Sequence, residues 1–373
     1  MSLKDVELFI RRRYMKRQNQ PFTGDLVREP RRALALGPGS KILYLQKQGK
    51  LGDTLVGIPV IRAVRRSYPG IRSHLLLSRD NSALSAGIGQ LVDRVWVFEK
   101  TLRSAVRVLQ GLRRERYDVT VDFAGGPSAS STLALRWSRP RQAVGFLSAY
   151  SGAYTHCVPS LDPGRFHIVE RNAQLLLPFG IDPATESLDL EYHITEAEAA
   201  AARARLRPTS RPFRLAISVS GANPLKYWGT KNFIAFISWV NHRYPETFEV
   251  ALSGMPEHAS QVAEIAAATG AWDVGPLPSF HDFAAVLREA DVLLTPDSAP
   301  AHLAAAWKIP AVVLFMQEFQ EMPWYPYRSP YRAVLHNRAV ASIPVTEVQQ
   351  AFQSLLAECF PAIGSPGAPL PTE

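Results

Sequence analysis

Lys41-Ile42-Leu43-Tyr44-Leu45-Gln46-Lys47-Gln48-Gly49-Lys50-Leu51-Gly52-Asp53-Thr54-Leu55 is the stretch that decides the fold. Residues 41–45 read as a buried strand, and a helical pattern with Leu55, Ile61, Val64 and Tyr68 facing inward follows over residues 54–68. The loop between them is punctuated by Gly49 and Gly52 and ends in Asp53. A carboxylate therefore stands at the carboxyl edge of a strand, where open α/β sheets bind their ligands. The arrangement recurs in the other half of the chain, where a strand over residues 290–295 runs into Asp297-Ser298-Ala299-Pro300-Ala301-His302 at the start of a helix. Two such junctions, each at the ligand edge of its own sheet, predict two α/β domains facing a central cleft.

Outward from the first junction, strand patterns at residues 72–77, 94–98, 118–123 and 142–146 alternate with helical ones at 81–91, 101–116 and 128–137. A less regular stretch leads to a helix over 167–179. The alternation restarts with strands at 214–219, 248–252, 291–295 and 311–315 and helices at 231–244, 257–269, 280–289 and 301–307. Repeated β-α-β units mean parallel sheets with helices on both faces. The expected organisation is a basic arm (1–40), an N-terminal domain (41–193), a linker carrying an alanine-arginine helix (194–212), a C-terminal domain (213–345), and a last helix with a Gly/Pro-rich disordered tail (346–373).

The net charge of +9 implies an anionic partner. In residues 1–41, Lys4, Arg11, Arg12, Arg13, Lys16, Arg17, Arg28, Arg31, Arg32 and Lys41 face only Asp5, Glu7, Asp25 and Glu29. Leu3, Val6, Ile10 and Tyr14 recur at helical spacing there, which predicts an interfacial helix on an anionic membrane surface; a solvated tail is the other reading. Apolar runs fall far short of the ~18 residues that a spanning helix needs. The basic N-terminus lacks the apolar core of a secretory leader, and Cys157 and Cys359 lack metal spacing and read as reduced thiols. The expectation is a cytoplasmic protein, peripheral on the inner face of the membrane. The G-x-G-x-x-G, P-loop, G-x-S-x-G and H-E-x-x-H patterns are all missing, as is any Asp-x-Asp pair. No nucleic-acid module is recognisable either. An anion would be held by backbone amides and side-chain cations.

Asp53 is expected at or just before its helix, where an N-cap carboxylate stays ionised and fixed and can serve as a general base. Lys47 and Lys50, leaving the same strand edge, are candidate cations for an anionic acceptor. The loop Gly221-Ala222-Asn223-Pro224-Leu225-Lys226-Tyr227-Trp228 can offer amides and an ammonium to phosphates, or be a turn with an exposed lysine and a core tryptophan. Pro300 suits the first position of a helix whose free amides, near Asp297, Ser298 and Ala299, form an anion site. Glu257 follows the second strand of this half, where an acid can bind a ribose hydroxyl. His74, His156, His193, His242, His258, His281 and His336 show no pairing and read as structural or surface residues.

In order and spacing these pieces resemble glycosyltransferase family 9, the ADP-heptose:lipopolysaccharide heptosyltransferases. The matching segments are residues 41–69, 117–126, 220–228 with its Lys-x-Trp, 253–257, and 290–315 with Asp-Ser-x-x-x-His-Leu-Ala-Ala-Ala. The resemblance implies a GT-B fold of two Rossmann-like domains, and inverting transfer of heptose from ADP-heptose to a lipopolysaccharide core or lipid A-type glycolipid, with no bound metal. It makes Asp53 the base, Lys47 an acceptor-side cation, Lys226 with the Ala222 and Asn223 backbone the diphosphate contacts, and Asp297, Ser298 and His302 the nucleotide-sugar signature. The chain departs from the pattern at Ala299, where the family has glycine, at Gly49-Lys50, where it has small hydroxyl residues, and at 123–126, which lacks a glutamine. These departures leave room for another nucleotide sugar, or for a catalytically silent GT-B-like binding protein.

Overall fold

The computed structural model describes residues 21–46, 50–99, 101–125, 129–148, 151–221, 223–316 and 324–364. The chain forms two compact units that divide between Leu188 and Asp189.

In the first unit the strands are β1 (Asp25–Leu26), β2 (Lys41–Gln46), β3 (Arg72–Ser78), β4 (Arg94–Phe98), β5 (Val119–Asp122), β6 (Gln142–Phe146) and β7 (His156–Val158). They make one parallel sheet in the order β1-β7-β6-β5-β2-β3-β4. The helices are α1 (Leu51–Leu55), α2 (Ile58–Ser67), α3 (Leu102–Glu115), α4 (Ala129–Ser138) and α5 (Ile168–Ala173). Leu43 and Leu45, two residues apart on β2, share one face of the sheet. They cluster there with Leu76, with Val108 and Leu112 of α3, and with Ala134 and Leu135 of α4. Both helices therefore cover the same face.

The second unit holds α6 (Glu196–Arg205), β8 (Phe213–Ser218), α7 (Thr230–Arg243), β9 (Phe248–Ser253), α8 (Ala259–Thr269), β10 (Trp272–Asp273), α9 (Phe280–Arg288), β11 (Val292–Pro296), α10 (Ala299–Trp307), β12 (Ala311–Met316), β13 (Tyr331–His336) and α11 (Val345–Cys359). Its sheet is also parallel, in the order β10-β9-β8-β11-β12-β13. Its core is aromatic: Trp228, Phe233, Phe236 and Phe248 are buried with Phe352 of α11, and Phe236 meets Phe352 edge-on at 5.5 Å. Burying a ring of this size contributes about 1.5–3 kcal/mol, so α11 belongs to the core of this unit. Residues 365–373 of the expected tail lie outside the described residues.

Several expectations change. The helix over 54–68 is two, α1 and α2, because Pro59 can neither donate an amide nor pack beneath the carbonyl of Leu55. The expected helix at 81–91 is a series of short turns, Ser82–Leu84, Ser85–Ile88 and Gly89–Leu91. Ser82 and Ser85 turn their hydroxyls onto the carbonyls of Arg79 and Ser82, competing with a regular helix. Over 167–179 only Ile168–Ala173 is α-helical, opened by a His167/Glu170 capping box. The less regular stretch contains β7, and residues of the expected arm form β1 alongside it. Strand β13 was not anticipated.

Candidate active site

Strand order locates the ligand edge of each sheet. In the first unit the chain runs from β2 through β3 to β4, then returns to β5 on the other side of β2, so the order reverses between β2 and β5. In the second it runs from β8 through β9 to β10 and returns to β11 beside β8. Open sheets bind ligands outside the carboxyl ends of the strands at such reversals. The described residues that follow those strand ends are 50–53, running into α1, and 123–125 in the first unit, and 219–221, 223–228 and 297–298 in the second.

Asp53 occupies the third position of α1, whose N-cap is Lys50. The expected N-cap role is thus corrected. Its carboxylate reaches back to the Lys50 backbone amide, the acid's half of a capping box, while the lysine side chain makes no cap bond. The electrostatic expectation is corrected too. Burial raises the Asp53 pKa to about 6, outweighing the Lys50 ammonium and the Lys50 amide that both favour the anion. Lys50 itself is exposed. Lys47 lies outside the described residues.

What holds α1 in place was invisible in the sequence. Asn81, fully buried, donates through Nδ2 to the carbonyl of Gln46 at 2.7 Å and to Thr54 Oγ1 at 2.9 Å. Its Oδ1 accepts from Ser78 Oγ at 2.9 Å. One side chain thereby joins the ends of β2 and β3 to the residue after Asp53. Gly57 leaves room for the Gln46 amide, since a Cβ there would stand 1.7 Å from Gln46 Nε2. On the other side of the reversal, Asp122 is buried at the end of β5. Its carboxylate accepts from the Ala124 amide and the Tyr154 hydroxyl, each at 2.9 Å. Burial beside that carboxylate raises the Tyr154 pKa and keeps the phenol protonated.

In the second unit the structure joins two of the expected residues directly: the Lys226 ammonium is ion-paired with the Asp297 carboxylate. Lys226 ends the 3₁₀ turn Pro224–Lys226, which folds back over Gly221. A Cβ at Gly221 would lie 2.3 Å from Lys226 Cβ, so this close approach requires glycine. Asn223 precedes the turn and is exposed, whereas Ala222 lies outside the described residues. Trp228 takes the core reading, buried with Nε1 donating to the carbonyl of Ile343 at 2.9 Å.

Helix α10 begins at Ala299, with Pro300 at its second rather than first position. Ser298 is the N-cap but makes no side-chain cap bond, because its hydroxyl donates to the Pro296 carbonyl at 2.8 Å. Pro300 has no N–H and the Ala301 amide donates to the Ser298 carbonyl at 3.1 Å, which leaves the Ser298 and Ala299 amides for an anion, and the helix dipole adds to their pull. His302 is buried, its ring 6.3 Å from that of Trp324. Glu257 is exposed in the turn after β9. Its neighbour His258, expected to be unpaired, stacks on Tyr227 at 5.0 Å and bonds Ser220 Oγ at 3.0 Å. Among the described residues no three His, Cys, Asp or Glu side chains group closely enough to share a metal ion.

Two parallel α/β units of this kind are the architecture of the GT-B fold. A glycosyl transferase family 9 structure from Veillonella parvula shares the fold with a TM-score of 0.72 at 16% identity, over 86% of this chain and 98% of that one. The Escherichia coli heptosyltransferase WaaC, solved with ADP-2-deoxy-2-fluoro heptose, gives 0.65 at 16% identity over 84% and 99%. The profile of Glycosyltransferase family 9 (heptosyltransferase) matches residues 105–349, and the chain belongs to that family and is a glycosyltransferase. It is 25% identical to a lipopolysaccharide heptosyltransferase 3 of Escherichia coli over 290 residues, 71% of this chain and 80% of the relative.

Proposed function

We propose that this protein transfers heptose from ADP-heptose, with inversion, to a hydroxyl of a lipopolysaccharide-core glycolipid at the cytoplasmic membrane face. The observation that carries the reading is Asp53: a carboxylate at the ligand edge of the first sheet, with a pKa near 6. A base of that strength is ionised at neutral pH yet takes a proton readily. Asp53 accepts the acceptor hydroxyl's proton as the oxygen bonds to the anomeric carbon, and the bond from that carbon to the diphosphate breaks to release ADP. Lys226, held by Asp297, and the amides opening α10 take up the negative charge that develops on the leaving diphosphate. Lys47 and Lys50 meet the acceptor's anionic groups, and Ala222, Asn223, Glu257, Ser298 and His302 line the donor. Donor choice draws its support from the family and from the ADP-sugar analogue held by the Escherichia coli fold relative. The reading uses side chains and amides, without a resident metal.

The test is nucleotide release from a panel of ADP-, UDP- and GDP-sugars in the presence of glycolipid acceptor, for the native protein and Asp53→Asn. ADP-heptose is expected to be the substrate and the variant to lose turnover while still binding ADP. Turnover by Asp53→Asn at the native rate would remove Asp53 as the base, and release from a UDP- or GDP-sugar alone would reassign the donor.

A further inference from the structure

Helix α3 carries an arginine-rich outer face that the chemistry above does not use. Arg103, Val106, Arg107, Gln110 and Arg114 follow helical spacing on its exposed side. With Arg94, Trp96 and Gly111 they line an open basin of about 790 Å³. The helix's one acid, Glu115, is already bonded to Lys41 at 2.7 Å and to Arg94 at 2.9 Å. Arg103, Arg107 and Arg114 form no ion pair among the described residues. The Arg94 guanidinium lies over the Trp96 ring at 3.8 Å.

Independently, three of the five exposed large apolar side chains described in the first unit lie in the same layer, Leu147 and Phe166 being elsewhere. Val106 on α3 is 45% exposed, and Leu133 and Trp137, one turn apart on α4, are 38% and 47% exposed. Both helices pack on the sheet face that presents Leu43 and Leu45, so their outer sides form one surface.

We infer that this α3–α4 surface docks on an anionic lipid bilayer, Arg103, Arg107 and Arg114 meeting headgroup phosphates while Trp137, Leu133 and Val106 enter the interface. The inference deepens the glycolipid reading, on which its role in presenting the acceptor rests. From Arg103 to Arg114 the helix rises roughly 16 Å, too long for one soluble phosphate but suited to several headgroups. Cations flanked by tryptophan and leucine are the pattern of an interfacial helix face. A nucleic-acid groove would offer free aromatic rings among its cations, whereas the ring here, Trp96, is half-buried and already covered by Arg94.

The test is co-sedimentation of the full chain with vesicles of phosphatidylcholine containing 30% phosphatidylglycerol, alongside duplex-DNA binding at equal salt. Each arginine near an anionic surface contributes about fivefold to partitioning, so the triple variant Arg103→Gln/Arg107→Gln/Arg114→Gln should bind these vesicles about 100-fold more weakly. Trp137→Ser should also weaken binding. A charge-matched variant of the second unit, Arg205→Gln/Lys231→Gln/Arg243→Gln, should stay much closer to the native protein. Glutamine keeps the helices' propensity, so folding is not at issue. Native vesicle binding by the α3 variant, an equal loss in the charge-matched variant, or a loss confined to DNA would each overturn the inference. Turnover on a deacylated, water-soluble acceptor should be unchanged in the α3 variant. The loss of that turnover in Asp53→Asn tests the glycosyl-transfer reading separately, whatever the vesicles show.

Discussion

The two strand-to-helix junctions begin from the same local pattern and end in opposite electrostatic states. After β2, Asp53 sits inside the first turn of α1, and burial pushes its pKa up to about 6. After β11, Asp297 stands just before α10 and is ion-paired with Lys226 from the neighbouring loop. The first carboxylate is left with little beyond a backbone amide and an exposed lysine, so it remains basic. The second is matched by a cation that it orients. A carboxylate at a strand's end is therefore not a role in itself; what the adjoining loop supplies sets whether it takes protons or positions charge.

The largest test of this contrast is Asp53→Asn. It should lower turnover about 10²–10⁴-fold with ADP affinity retained. In the native protein kcat/KM should fall tenfold per pH unit below about pH 6, where Asp53 protonates, and be level above it. The same carboxylate costs stability. Its folded pKa of about 6 lies above the ordinary 3.8, so folding favours the protonated form. That cost is absent below about pH 4, grows as pH rises, and is complete above pH 6. Asp53→Asn should therefore unfold at higher denaturant than the native protein at pH 7, by about 1–3 kcal/mol, with no difference at pH 4. Equal stability at both pH values would break the contrast.

Lys226→Met should weaken ADP binding about 10–100-fold by calorimetry, the loss of one charged hydrogen bond to phosphate. Asp297→Asn should cost less, because the ammonium survives without its guide. A larger loss for Asp297→Asn would make it a direct donor contact instead. Asn81→Ala should lower kcat about tenfold by loosening α1 and cost about 1–3 kcal/mol of stability, with ADP affinity unchanged. A shift in ADP affinity would tie Asn81 to the donor. Smallest of all, Ala299→Gly should change ADP binding by no more than about 1 kcal/mol, tightening it if the methyl group holds the diphosphate away from the first turn of α10.

The order of buried strands and amphipathic helices was legible in the sequence because a parallel sheet covered on both faces demands continuous apolar strands. Asp53, Lys226 and Asp297 were legible because each follows such a strand within a few residues. The short strands β1 and β7 were not: a two- or three-residue strand is stabilised by the neighbour that pairs with it, and here the neighbours are far apart in sequence. Asn81 was hidden for the same reason, since its partners Gln46 and Thr54 come from another strand and helix. The sequence by itself determined which residues stand at the ligand edges, a local matter of strand ends and glycine-bearing loops. Only the tertiary structure decided that Asp53 is a weak acid and Asp297 a counterion, because desolvation and ion pairing depend on chain segments that the sequence leaves tens of residues apart.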